Sequence, residues 1–408
     1  MKILHTADWH IGKVLHKQSL QEEHKLFFDW LLKTIEEKEI DLLLISGDIF
    51  DLANPAAKDR GLYYNFLSQL VGTDTTVIIT GGNHDSIGVL NAPSEVLTRL
   101  KIHVIGGATE DPRDELIEIK DDADQLQVVV AAIPYLRDRD LRHNDTTHKQ
   151  STRVEAIRAG IKKHYDTLAD ISKDLYPKVP LIGMGHLYTK GSITSESERE
   201  IQIGNTAVIE AKHFSDAYAY MALGHIHRPQ VIDKNEYIRY SGAPIALSFS
   251  ERSDDKIVLI VTVEDGKVLS PNAVPVPKFR ELKKVSGSLE KVIEQLDGYK
   301  NDAPLPTFIE IEVNEDNFST QVLAQVENLI ALHKSDDRFI ILKSKVNFEK
   351  GSKDTADLFT SGTNVEDLSP QEVFQRKLDS ENVTTEEQAT LKEAFSELLE
   401  YVHEQEEL

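Results

Sequence analysis

Apolar residues run without a break from Leu42 to Ile45 and stop at Ser46-Gly47-Asp48. An unbroken apolar run of this length, bounded by Asp41 and Gly47, predicts a strand covered on both faces, as in parallel or mixed sheets flanked by helices. Comparable runs predict strands at Lys2–Thr6, Thr76–Thr80, Gln127–Ile133, Leu181–Met184, Tyr218–Leu223, Tyr237–Tyr240 and Lys256–Val263. Between them the spacing turns helical. Gln21–Glu39 carries Leu26, Phe27, Trp30, Leu31 and Ile35 on one side, and Ala57–Val71 carries Leu62, Tyr63, Phe66, Leu67 and Leu70. Helices are also expected at Ala92–Leu100 and Ser151–Asp170. Alternating strands and helices of this kind indicate an α/β sheet domain.

The pattern changes near Ser270–Lys278, where Pro271, Pro275 and Pro277 punctuate an extended stretch and mark a boundary. The first domain is placed at residues 1–274. Residues 275–348 then read as a small α+β cap of β-α-β-α-β order without chemistry of its own. A linker rich in Gly, Ser, Thr and Asp follows at 349–368. The segment 369–408 holds two helix starts, Ser369-Pro370-Gln371-Glu372 and Thr384-Thr385-Glu386-Glu387, each with the makings of a capping box. Val373, Phe374 and Leu378 line one helix; Leu391, Phe395, Leu398, Leu399 and Val402 line the other. Two short helices on a flexible tether bury such stripes poorly by themselves, so a helical partner is expected, with folding back onto the parent domain as the other outcome.

Composition narrows the chemistry. The chain of 408 residues has no cysteine, which excludes disulfides and thiolate metal sites, and any metal must be held by His, Asp, Glu or Asn. Neither the N-terminus nor any internal run suits a signal peptide or a membrane span, so a soluble cytoplasmic protein is expected. The formal net charge of −23 argues at first against nucleic acid. Glu366 to Leu408, however, holds 13 acidic and 3 basic residues, so ten units of that excess lie in the tail and say little about the rest.

Short polar motifs sit at the exits of successive predicted strands: Asp8-Trp9-His10, Gly47-Asp48, Gly82-Asn83-His84-Asp85, Gly185-His186 and Gly224-His225-Ile226-His227. A single His or Asp after a strand is usually an ordinary turn residue. The whole set at one end of one sheet domain points to a shared site. Residues i and i+2 of an extended segment share a face, so Asp8 with His10, and His225 with His227, each aim two donors at one place. Asn83 and His84 point apart, so one can bind metal while the other faces substrate. Oxygen and imidazole donors without sulfur suit Mn²⁺, Fe²⁺ or Zn²⁺. Two ions sharing a carboxylate, about 3.5–4 Å apart, are the usual apparatus for phosphoester cleavage.

In this order the motifs resemble those of the calcineurin-like metallophosphoesterases. Lys2-Ile3-Leu4-His5-Thr6-Ala7-Asp8-Trp9-His10-Ile11-Gly12, Ser195–Gly204, Leu223–Gln230 and Tyr240–Ile245 are similar, more narrowly, to the branch of bacterial DNA-repair nucleases that work with an SbcC-type, SMC-like ATPase. The resemblance implies a double-sheet sandwich flanked by helices, with the small cap and a C-terminal helical pair. It implies that Asp8, His10, Asp48 and His227 hold one metal and that Asp48, Asn83, His186 and His225 hold the other, with Mn²⁺ as the expected ion. His84 matches the family's phosphate-facing histidine, catalytic together with Asp48. The implied activity is exonuclease on double strands and endonuclease on single strands and hairpins, in repair, recombination and replication; a small-molecule phosphodiesterase is the alternative. No Gly-x-x-x-x-Gly-Lys-Ser/Thr segment occurs, so ATP must be handled by the partner, which the tail helices would dock.

The resemblance further implies a homodimer, and a heterotetramer with the ATPase. Leu62, Tyr63, Phe66 and Leu67 are expected to supply the dimer face, although packing on their own sheet explains the same stripe. Lys13, His16 and Lys17 follow the first motif and either touch DNA phosphates or form a solvated loop. Some relatives carry His where this chain has Asp51, whose role stays open.

Overall fold

The computed structural model describes residues 1–121, 123–141, 153–198 and 209–350, together with Leu378, Gln388, Leu391 and Phe395. Two sheets face each other in its larger unit. The first is built from β1 (Lys2–Thr6), β2 (Leu42–Ser46), β3 (Thr76–Thr80) and β4 (Ile102–Ile105), all parallel. The second contains β5 (Leu116–Lys120), β6 (Leu126–Ala131), β7 (Leu181–His186), β8 (Tyr218–Gly224), β9 (Gln230–Ile232) and β10 (Asn235–Tyr240), in the order β9-β10-β8-β7-β6-β5. β11 (Ile257–Glu264) runs antiparallel to β1 and pairs in turn with β12 (Lys267–Val268) and β13 (Asn272–Pro275).

The alternation of side chains along β2 explains its unbroken apolar sequence. Leu42 and Leu44 join Ile3, Ile78, Val130, Ile182 and Met184 in the layer between the sheets. Leu43 and Ile45 turn the opposite way, into a cluster with Phe27 and Leu31 of α1 (Gln21–Lys38) and Tyr63 and Phe66 of α2 (Ala57–Leu70). The outer face of the second sheet is covered by Ile157, Ile161, Tyr165 and Leu168 of a helix at Arg153–Leu175. Both sheets are thus apolar on two faces, and each fully buried Leu or Ile stabilises this arrangement by about 1.5–3 kcal/mol. The stack of helix, sheet, sheet and helix is the sandwich the motifs implied.

Several expectations need correction. Tyr63, Phe66 and Leu67 are almost wholly buried in α2's own cluster, so the stripe expected as a dimer face is occupied by the helix's own sheet. The single helix expected at Ala92–Leu100 is instead two short ones, Ile87–Asn91 and Ser94–Thr98, separated at Pro93, which lacks the N–H a continuous helix needs. β4 and β5, both edge strands, were not anticipated.

The chain divides into one unit of Met1–Lys284, Tyr299–Glu310 and His333–Lys343, and a second of Val285–Gly298, Ile311–Leu332 and Ser344–Leu408. The chain passes between these units several times. β14 (Leu282–Gly287), β15 (Thr307–Asn317) and β16 (Phe339–Lys350) form a three-stranded sheet, and helices at Leu289–Asp297 and Thr320–Leu332 lie between them in sequence. Leu289, Val292 and Leu296 form the buried stripe of the first of these helices. No helix among the described residues is long and apolar enough to cross a membrane. Of the linker expected at 349–368, Glu349 and Lys350 belong to β16; residues 351–368 and the tail-helix starts at Ser369 and Thr384 lie outside the described residues.

Candidate metal centre

Strands β1, β2, β3, β7 and β8 deliver their C-terminal ends to one place, and the backbone turns sharply there. Asp8, His10, Asp48 and His225 adopt positive φ of 54°, 48°, 51° and 99°. Non-glycine residues in sparsely populated regions cost roughly 1–3 kcal/mol each and persist where the surroundings hold them, commonly at functional sites. Two motif glycines are required by close approach. A Cβ on Gly82 would stand 2.1 Å from Asp48 Oδ1, and one on Gly224 would stand 1.8 Å from the Ser46 carbonyl oxygen.

The side chains at these strand exits converge. Asp8, His10 and His227 form one group, His10, Asp48 and His84 a second, and Asp48, His186 and His225 a third, with the donor atoms of each group within 4.8 Å of one another. Asn83 adds an oxygen to the third, its Oδ1 lying 3.0 Å from His186 Nε2 and 3.2 Å from His225 Nδ1. Asp48 Oδ2 lies between the two sides, 3.4 Å from His10 Nε2 and 3.3 Å from His186 Nε2, and 4.0 Å from His84 Nε2. All of these His and Asp side chains are buried.

The donor set fits divalent cations. His10 Nε2 and His227 Nε2 approach to 3.1 Å; with the ring protons on Nδ1, where Asp51 meets His10 and Ser197 and Glu251 meet His227, both Nε2 lone pairs face one place, which a shared cation would occupy. Among the described residues, Asp8 Oδ2 and His225 Nε2 are buried without a hydrogen-bond partner, which is costly for polar atoms left alone. Burial pushes the Asp8 carboxyl up to about 7, against the opposing pull of His186 and His227. Burial by itself would lower the His186 imidazole, yet the charge and hydrogen bond of Asp48, with Asp8 behind them, raise it to about 9. Protons thus stand in where positive charge is wanted. Conversely, burial lowers His10 to about 4 and takes His225 well below the ordinary histidine value, so both are the neutral donors that metal ligation requires.

A family model for calcineurin-like phosphoesterases matches residues 1–229, and one for the type 5 capsule protein repressor C-terminal domain matches residues 278–382. Over 404 residues the chain is 31% identical to the SbcD component of nuclease SbcCD from Escherichia coli (strain K12), covering 98% of both. It is 36% identical over 289 residues to the protein of the same name from Rhodobacter capsulatus, covering 68% of this chain and 70% of the relative. For that of Bacillus subtilis (strain 168) the figures are 30% over 381 residues, 90% and 91%. The chain belongs to the calcineurin-like phosphoesterase family. Within it, the chain is a metal-dependent nuclease subunit of the SbcCD type.

The phosphoesterase also contains supporting residues that sequence reasoning left unassigned. Asp51 serves two histidines. Its Oδ1 lies 3.2 Å from His10 Nδ1, and its carbonyl oxygen lies 2.7 Å from His84 Nδ1. Each ring then carries its proton on Nδ1 and turns Nε2 toward the cluster. Lys13 Nζ stands 3.2 Å from the same Asp51 oxygen, so Lys13, read as either a DNA contact or part of a solvated loop, is half-buried and paired. His16 and Lys17 form the exposed tip of a small hairpin, Val14–Leu15 with Gln18–Ser19.

On the other side, His227 Nδ1 meets Ser197 Oγ at 2.7 Å and Glu251 at 3.5 Å, while Lys256 donates to Glu251 at 2.6 Å. Burial opposes a charged Glu251, but His227 and Lys256 hold its carboxyl well below the usual range. Asp85 accepts from the backbone N–H groups of Gly82, Ile49 and Phe50 at 2.8–3.1 Å, tying the loop of Asn83 to the loop of Asp48. The motif Gly82-Asn83-His84-Asp85 signalled Asp85. Nothing local in the sequence signals Glu251, which lies in a short turn 24 residues beyond the histidine it supports.

Proposed function

We propose that this nuclease cleaves DNA with two Mn²⁺ ions, one held by Asp8, His10, Asp48 and His227 and the other by Asp48, Asn83, His186 and His225. The convergence of these donors, with Asp8 Oδ2 and His225 Nε2 buried and unpartnered among the described residues, carries the reading. Two cations held there would supply Lewis acidity toward a phosphoryl oxygen and its leaving group. The chain's own part is positional. Asp51 and Ser46 fix the rings of His10 and His186 through their Nδ1 atoms, and Asp85 keeps the two donor loops in register. His84, anchored through Nδ1 to the Asp51 carbonyl, presents Nε2 toward the cluster, and in its doubly protonated, cationic form would give the Nε2 proton to the departing oxygen.

In this reading the enzyme acts as an exonuclease on double-stranded ends and as an endonuclease on single strands and hairpins. It works in the cytoplasm in DNA repair and recombination, as a homodimer joined into a heterotetramer with an SbcC-type ATPase through the helices of residues 369–408. The sequence similarity over 98% of the chain to a protein named as one component of SbcCD supports the partner. The test is a Mn²⁺-dependent assay on linear duplex, hairpin DNA and a chromogenic phosphodiester. Cleavage of all three, lost in His84→Ala with metal content retained, is expected. Cleavage of the small diester alone would turn the reading to a small-molecule phosphodiesterase.

A further inference from the structure

Arg137 is unused by the metal centre and sits against it. It lies just beyond β6, in a segment that the Tyr135 N–H fastens to the Gly81 carbonyl at 2.8 Å, and the Tyr135 ring stands edge-on to His186 with centroids 6.4 Å apart. The Arg137 guanidinium donates from Nη2 to the carbonyl oxygen of Asp85 at 3.0 Å. Asp85 is the residue after His84, and its carboxylate is itself anchored on Gly82, Ile49 and Phe50. The guanidinium is therefore held rigidly on the loop that carries Asn83 and His84. Its second nitrogen, Nη1, is buried and makes no hydrogen bond among the described residues.

Arginine stays charged at any pH the protein meets, and its fork of N–H groups matches phosphate oxygens. A guanidinium nitrogen sheltered from solvent and left without an acceptor is costly unless an anion completes it. The partners of Lys13, Arg228 and Lys256 underline the contrast, since each of those cations near the site is already bonded to a carboxylate: Asp51, Asp254 and Glu251. Among the described residues, the Arg137 guanidinium instead bonds a neutral carbonyl and no carboxylate.

We propose that Arg137 binds a phosphate of the DNA strand adjacent to the phosphodiester being cleaved. The inference rests on the nuclease reading above. The guanidinium is fixed to the loop beyond His84 rather than among the metal-donor atoms, which places it beside the scissile group and suits a neighbouring phosphate. Arg137 thereby favours a polynucleotide over an isolated phosphodiester, and sets the register of the strand.

The test compares Arg137→Ala and Arg137→Lys with the parent enzyme on linear duplex DNA and on bis(p-nitrophenyl) phosphate, which offers a single phosphodiester, with Mn²⁺ content measured for each. For Arg137→Ala at full metal content, the ratio of kcat/KM on DNA to kcat/KM on the small diester should fall about tenfold, mainly through KM. The slope of log KM for DNA against log salt should shrink by about one unit. Arg137→Lys, which keeps the charge, should recover part of both. Equal losses on the two substrates with an unaltered salt slope would overturn the proposal, leaving Arg137 as a clamp on Asp85. If Arg137→Ala loses metal, the decision passes to Arg137→Lys, in which an unmoved ratio and salt slope contradict the proposal and a reduced ratio sustains it. A parent enzyme that cleaves the small diester but no DNA would defeat the nuclease reading itself, a result distinct from either.

Discussion

Asp51 shows how much of this centre depends on residues that never meet the metal. Its carboxylate and its carbonyl hold the Nδ1 sides of His10 and His84, so in the proposed mechanism one residue orients a ligand and a proton carrier together. Outer partners of this kind typically affect metal affinity or activity by about 10–100-fold. Asp51→Ala should weaken Mn²⁺ binding within that range, read by titration of chelator-stripped protein, while Asp51→Asn, which keeps an acceptor, should lose less. Equal affinity in Asp51→Ala and parent would contradict the role. Protons matter as well. In the metal-free protein His186 is raised from 6.5 to about 9, so its contribution to stability is fully present below pH 6.5 and lost as pH rises through 9. Asp8, raised from 3.8 to about 7 by burial, works in the same direction over a lower range. Thermal unfolding in chelator should thus move to lower temperature between pH 7 and 9. A melting temperature that rises over this interval would show the assignment of protons to be wrong.

At the scale of elements, the site is made by parallel strands whose two apolar faces lock their exits together. Leu44 lies at zero exposure in the layer between the sheets, below the turn that aims Asp48. Leu44→Ala should cost about 2–5 kcal/mol in denaturant unfolding, because neighbours on both sheets cannot collapse into the space. A loss below about 1 kcal/mol would mean the layer is looser than its burial implies. This scale also separates what was legible in the sequence from what was not. Central strands announced themselves through unbroken apolar runs, and the Gly-Asp, Gly-Asn-His and Gly-His exits announced the donors, because both signals are local. β4 and β5 were missed because edge strands are only partly covered; in β5 only Ile119 is buried. The α2 stripe was readable as apolar, but a stripe does not say whether it faces its own sheet or a second copy. Glu251 and the Asp51 carboxylate act across long stretches of chain, and nothing beside them in the sequence points to the histidines they support.

For the whole molecule, the proposed cleavage belongs to one unit and the proposed partner docking to residues 369–408. Deleting Ser369–Leu408 should abolish co-purification with the ATPase and leave Mn²⁺-dependent cleavage of a small phosphodiester intact. Undiminished co-purification would remove the docking role. The rest of the proposed chemistry depends on two metals and on the Asp48 carboxylate proposed to be shared by them. The most direct measurement is therefore Mn²⁺ per chain by elemental analysis, after loading and dialysis, in the parent, His10→Ala and Asp48→Asn. The expected result is two ions in the parent, retention of the Asn83-side ion in His10→Ala, and loss from both positions in Asp48→Asn. Two ions at full occupancy in Asp48→Asn would contradict the shared-carboxylate centre.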